Sequence, residues 1–291
     1  MSLDLPRSKL EELWPSISFL RLDGYYPYAI NTSNLKSTQG FTELRLKGWH
    51  PITESVLIGI LAASPRLRVL EVSTDIIGSL SKGPLIEPIY LDDLEIVKSV
   101  ITNRPQTHQR QLRILLRLLQ PGSKPLSLCI SNPNQGPDVP FVCQPEVQAF
   151  LDRANVRQLC VYDLERRTQV VELLKLIPSV RALAVSALRS LKPDVNTLHM
   201  LSPLDSICVI PWFLPLLPGS IPHPSSDWLT VEWLAETYKP RKLTVWSKDF
   251  EFGYSEWDES GKSIIPDNFY TVCPIVNVMA QEEPNPDQEW C

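Results

Sequence analysis

Four histidines, six cysteines and pairs of adjacent carboxylates such as Asp92-Asp93 and Glu11-Glu12 are the groups in this sequence with the most scope for chemistry. A bound zinc needs a second histidine, thiolate or carboxylate at a spacing that brings it to the same side of a turn or helix. None of His50, His108, His199 and His223 has a second histidine at that spacing, so H-E-x-x-H is absent. Cys129, Cys143, Cys160, Cys208, Cys273 and Cys291 include no C-x-x-C pair. Three of them (129, 160 and 208) lie inside apolar runs, where a free thiol behaves as a small hydrophobe. That is the cysteine usage of a reduced, intracellular protein. Gly261-Lys262-Ser263 has the ending of a phosphate-binding loop, but the first glycine of that motif falls on Glu256 and no apolar strand leads in. Neither the G-x-S-x-G elbow of a hydrolase nor the G-x-G-x-x-G of a dinucleotide site occurs. Asp92-Asp93 and Glu11-Glu12 are neighbours along the chain, so their carboxylates diverge and read as solvated surface. No catalytic residue, cofactor site or metal site is expected, and an enzyme is the weaker alternative.

With no chemistry to position, the elements themselves become the signal. The phrase L-x-x-L-x-L, with any aliphatic allowed, recurs along the chain. It reads Ile17 to Leu22, Phe41 to Leu46, Leu67 to Val72, Leu91 to Ile96, Val156 to Val161, Val180 to Val185 and Leu204 to Val209. Weaker copies end at Ile130 and Val245. Most spacings between copies are 24 to 26 residues, the period of a leucine-rich repeat. In the L-x-L half, side chains alternate across a strand, so the two aliphatics share one face and the middle residue takes the other. One short strand cannot bury that face alone, whereas stacked units make a continuous core.

Helical segments fall between the phrases. Thr53 to Ala63 starts on an N-cap residue and places Val56, Ile60 and Ala63 on one face before Ser64-Pro65 stops it. Residues 109–119, 145–154, 168–177 and 230–238 follow the same grammar, each closed or opened by proline or glycine. The reading is an α/β, leucine-rich-repeat-like solenoid over residues 1–248: an open horseshoe with parallel strands on its concave face and helices on its convex face. Residues 249–278, with Trp246, Phe250, Phe252, Tyr254 and Trp257 as an aromatic cluster, are expected to cap the last repeat. Residues 279–291 read as an acidic, disordered tail.

The phrases around Pro65, Pro121 and Pro178 resemble the leucine-rich-repeat region of fungal F-box-type proteins. The resemblance covers roughly residues 10–248. It implies a substrate receptor of a ubiquitin ligase, in which an F-box binds a Skp1-like adaptor and the repeats hold a protein partner. The chain departs from the family at its start. Leu5-Pro6, Leu10 and Leu13-Trp14 match the spacing of an F-box opening, yet the first repeat phrase begins at Ile17 and leaves no room for the rest. Leu5 to Trp14 read instead as the helix of a first repeat, the F-box is expected to be missing or truncated, and a ligase-independent scaffold is the alternative.

Charge distribution argues against other partners. Residues 249–291 carry ten acidic groups and one lysine, so the first 248 residues hold a net +4 of the −5 total. A nucleic-acid binder concentrates Lys and Arg on one face, which this pattern does not suggest. The N-terminus has charges throughout and lacks the apolar core of a secretory signal, and no apolar window approaches the length of a membrane span. An intracellular protein binder, cytoplasmic or nuclear, is therefore expected. In the expected solenoid the recognition face is lined by Arg21, Asp23, Glu43, Arg45, Lys47, Glu71, Ser73, Asp93 and Glu95. Cys129, Cys160, Ala184, Cys208 and Thr244 continue the strip as a small, neutral half.

Overall fold

The computed structural model describes residues 18–23, 40–48, 51–78, 87–99, 105–131, 143–162, 167–186, 203–210, 233–246 and 272–279. The chain is α/β, with a large parallel sheet of ten strands and few helices. It divides into two compact units, residues 1–156 and 157–291.

The first unit contains β1 (Phe19–Asp23), β2 (Glu43–Lys47), β3 (Ile52–Thr53), α1 (Glu54–Ala62), β4 (Val69–Ser73), β5 (Ile76–Ile77) and β6 (Ile89–Leu91). It continues through β7 (Ile96–Ser99), α2 (Pro105–Leu118), β8 (Leu119–Pro121), β9 (Leu126–Ser131) and α3 (Pro145–Arg153). Its five longer strands lie in the order β1-β2-β4-β7-β9, all parallel. Parallel neighbours need a crossover of a dozen or more residues, and the repeat period supplies it. Two short parallel ribbons, β3 with β5 and β6 with β8, run alongside. The second unit takes up β10 (Val156–Tyr162), α4 (Arg167–Leu176), β11 (Ala182–Ser186), β12 (Ser206–Ile210), β13 (Lys242–Trp246) and β14 (Ile275–Met279). These strands pair in sequence, again parallel, and residues 233–238 are helical.

The register is the one that equal repeats dictate. Leu20, Leu44, Leu70, Val97 and Leu128 stand side by side across the first unit. Leu159, Leu183, Ile207, Leu243 and Val276 do so across the second. The interior members of both ladders are fully buried. Each such side chain contributes about 1.5–3 kcal/mol on leaving water. A slip of one residue would turn every aliphatic outward, so the ladders pin the register. The first leucine of the phrase is buried as well: Phe41, Leu67, Val156, Val180 and Leu204 all lie inside.

Two phrases fall differently from the sequence reading. Leu91-Asp-Asp-Leu94-Glu-Ile96 was expected to form the fourth strand. The strand instead runs Ile96–Ser99 and puts Val97 and Ser99 in the places expected for Leu94 and Ile96, three residues further on, because Leu70 pairs with Val97. The run L-x-x-L-x-x-V offers two phases, and the one that buries Leu91, Leu94 and Val97 together prevails. The tenth strand, β14, falls in the stretch read as a cap. There Cys273 takes the place of the first leucine, followed by Val276 and Val278. Cys273 is buried, as that position requires.

Helices α1, α3 and α4 agree with the sequence within a residue or two, α2 begins at Pro105 rather than Gln109, and the start of the helix read over 230–238 lies outside the described residues. Thr53 caps α1 as expected, its hydroxyl accepting from the Val56 amide at 3.4 Å. The buried face is Leu57, Ile60 and Leu61, however, and Val56 and Ala63 are only half-buried. The Ser64-Pro65 stop has a further role: the buried Ser64 hydroxyl accepts from the Phe41 amide at 3.1 Å. Gly40, with φ of 88°, passes so close that a Cβ there would lie 2.6 Å from the Ala63 carbonyl oxygen.

Candidate protein-interaction face

The strand faces opposite the aliphatic ladders carry the charges. On the first unit they form rows across the strands. Phe19, Glu43, Val69, Ile96 and Ser127 make one row, and Arg21, Arg45, Glu71, Lys98 and Cys129 the next. Asp23, Lys47 and Ser73 begin a third. Six of the nine residues read from the sequence as a recognition strip thus meet on one face: Arg21, Glu43, Arg45, Lys47, Glu71 and Ser73. Asp23 joins them by backbone register.

Glu71 is the centre of this patch. It is 3% exposed, with Lys47 Nζ 2.8 Å from its carboxylate and Arg45 Nη1 at 3.8 Å. Arg45 also stands 3.6 Å from Glu43. Arg45 and Lys47 lie against Glu71, each about one-third exposed as a whole side chain, with the Arg45 Nε itself buried. Glu71 therefore belongs to the framework of the face, beneath its surface. Glu71→Gln keeps the shape and removes the charge that both cations compensate. Because those cations can rehydrate, the cost should be about 1–2 kcal/mol rather than that of a fully buried pair. Urea denaturation at neutral pH would measure it, and an unchanged midpoint would remove Glu71 from this role.

Asp93 and Glu95 stand elsewhere. Since the fourth strand starts at Ile96, both precede it, and Lys98 occupies the place opposite Glu71 that Glu95 was expected to fill. They join a rim of alternating charge at the beginnings of β4, β7 and β9. Arg68 Nη2 donates to Glu95 at 2.8 Å, and Lys124 Nζ to Asp93 at 2.7 Å. The hydrogen bond from Arg68 holds the Glu95 carboxyl below the usual carboxylate range, against the opposing effect of burial. The bond from Lys124 does the same for Asp93, and both cations are raised in return. At this exposure such pairs set a local pattern and add little stability.

The neutral half of the strip is also corrected. Cys129 in the first unit, and Cys160, Ala184, Cys208 and Thr244 in the second, are all buried. Their side chains are small and sink between the neighbouring strands, while Gln158, Lys242 and Ile275 in the adjoining row of the same face stay exposed. Lys98 was missed by the sequence reading, and the overlapping phase at Leu91–Ser99 explains the omission.

Behind the sheet, α2 is an arginine-bearing tie. Arg117 pairs with Glu54 at the start of α1, its Nε 3.1 Å from the carboxylate, and Arg113 Nε donates to Glu146 of α3 at 2.9 Å. Burial pushes the Glu146 carboxyl up, but the hydrogen bond and charge of Arg113 outweigh it and leave the group lowered.

Among the described residues no three His, Cys, Asp or Glu side chains come together as metal ligands. No described helix is long and apolar enough to cross a membrane. The F-box-like residues Leu5 to Trp14, all four histidine side chains, Gly261-Lys262-Ser263 and the aromatics from Phe250 to Trp257 lie outside the described residues. No family model matches the chain, and no curated protein matches it.

Proposed function

We propose that this chain is a leucine-rich-repeat-like solenoid, with parallel strands on its concave face and helices on its convex face, that recognises another protein. The observation that carries the reading is the charged patch in which Arg21, Arg45, Glu71 and Lys98 share one strand register and Lys47 pairs with the buried Glu71. A sheet that needed these positions only for packing would bury small or apolar residues there, as it does at Cys129, Cys160 and Ala184. Half-exposed cations on rigid strands instead favour recognition, where charge governs specificity and association rate. Through its resemblance to F-box-type proteins the chain is further proposed to recruit a substrate to a ubiquitin ligase through a Skp1-like adaptor. A scaffold that binds the same partner without a ligase is the competing role.

The test is affinity purification of the tagged chain from its native cells beside a double variant, Arg21→Glu with Lys98→Glu. Glu71 is left untouched because its burial would confound folding with binding. A partner retained by the native chain should fall about tenfold or more with the variant. A Skp1-like adaptor in the native fraction selects the ligase role, and its absence selects the scaffold. Identical retention by both chains would overturn the recognition reading.

A further inference from the structure

In the second unit the starts of the strands are basic. Arg157, Arg181, Asp205 and Arg241 each stand two residues ahead of a ladder residue, Leu159, Leu183, Ile207 and Leu243. The Arg181 amide donates to the Arg157 carbonyl at 2.8 Å and the Asp205 amide to the Arg181 carbonyl at 2.7 Å, so these residues follow one another strand by strand, about 4.8 Å apart. Lys242 follows Arg241, Lys239 comes two residues before it, and all six side chains are exposed. Lys239 also takes the left-handed backbone conformation, φ 43°, so a cation is kept where glycine would be less strained. Five cations thus accompany one carboxylate. Among the described residues none of the five forms an ion pair, and the Arg157 guanidinium reaches only the Ser179 carbonyl, at 3.3 Å.

The strand starts of the first unit are different. There Arg68 pairs with Glu95 and Lys124 with Asp93, so that rim is neutralised by its own side chains. The repeat therefore does not require a surplus of cations at this place, and the second unit carries one. Asp205 sits between Arg181 and Arg241 in the row. A uniform polyanion laid along it would meet that carboxylate, whereas a peptide can set a neutral residue there. Beside Lys242, in register on the last strand, stands Ile275, half-exposed at 51%. The row thus joins unpaired cations to one apolar side chain.

We infer that the strand starts of the second unit bind an acidic, extended segment of a partner protein, with carboxylates on Arg157, Arg181 and Arg241 and an apolar side chain on Ile275. From β10 to β14 the row spans about 19 Å, which about six extended residues cover at about 3.3 Å each. Guanidinium groups present paired donors that match a carboxylate, and the strands hold their backbones fixed before the partner arrives. This surface shares no residue with the charged patch of the first unit, so it stands or falls separately from the recognition reading above.

The test uses the full chain and fluorescence anisotropy at low salt. The probes are a labelled eight-residue peptide of Glu and Ala with one Leu near its end, its Gln counterpart, and an oligothymidylate of similar length. The acidic peptide should bind, and the other two about tenfold more weakly or not at all. Arg181→Glu and Arg241→Glu should each weaken the acidic peptide about tenfold. Arg66→Glu, an equally exposed change on the first unit, should leave its binding unaltered. Circular dichroism and melting should stay at the native values in all three, because each side chain is exposed. Asp205→Asn should tighten the acidic peptide about threefold. Equal binding of the three probes, acidic binding indifferent to Arg181 and Arg241, or an equal loss from Arg66→Glu would overturn the proposal. Cellular capture with the Arg21 and Lys98 variant tests the first unit, so failure of that reading and failure of this one appear in different experiments.

Discussion

Replacing Phe150 with alanine is expected to remove about 3–5 kcal/mol from the stability of the first unit. Phe150 is fully buried on α3, the helix that packs on α2 and on β8. It is the largest side chain of a face that also includes Val147 and Leu151. Truncation deletes the ring and leaves a void that flanking helices cannot close, since α2 is tied to α3 through Arg113 and Glu146. Phe150→Leu fills most of that void and should cost less, about 1–1.5 kcal/mol. Urea unfolding followed by circular dichroism would separate the two. A loss below about 1 kcal/mol for the alanine variant would mean that the site collapses, contrary to this account.

Arg153→Met should cost about 2–4 kcal/mol, nearly as much, for a different reason. An α-helix leaves its last carbonyls without intrahelical partners. Arg153 supplies the missing donors at the end of α2. Its guanidinium reaches the Leu116 carbonyl at 3.0 Å and the Leu119 carbonyl at 2.8 Å, while Nη1 bonds Ala149 at 3.0 Å. The same group lies 5.8 Å above the Phe150 ring. Burial lowers the pKa of Arg153 without discharging it, so a cation stays at the negative end of the helix. Methionine keeps the apolar stem and loses every donor. Arg153→Lys should recover only part of the loss, because a single ammonium cannot reach both carbonyls in the planar geometry that arginine offers. Full recovery by lysine would reduce the role of Arg153 to charge alone. Because Arg153 and Phe150 touch, the double variant should cost less than the two separate losses combined.

Much of this architecture was legible in the residues. The aliphatic phrase translated directly into in-register ladders because its chemistry is local: alternation along a strand decides which side is buried. Proline at one end of each helix and Thr53 before α1 marked element ends for equally local reasons. The misreadings have non-local causes. At Leu91–Ser99 two phases of one apolar run satisfy the phrase equally, and only pairing with Leu70 chooses between them. At Cys273 a thiol stands for leucine, so the last strand did not announce itself. The charged patch was legible as a set of residues, but burial divides it. Which carboxylate sits under two cations, and which form a rim with Arg68 and Lys124, depends on neighbours 24 to 31 positions away. The neutral strip failed because alternation predicts two faces for a strand and says nothing about how deeply a small side chain sinks between its neighbours.

The burial of these thiols has a practical side. Cys129 lies on β9, Cys160 on β10, Cys208 on β12 and Cys273 just ahead of β14, all reduced and buried, while Cys143 is exposed. A thiol reagent can modify a buried cysteine only when its own strand opens. The chain thus carries a set of clocks, one per strand, whose labelling rates read out local opening along the fold without any introduced probe.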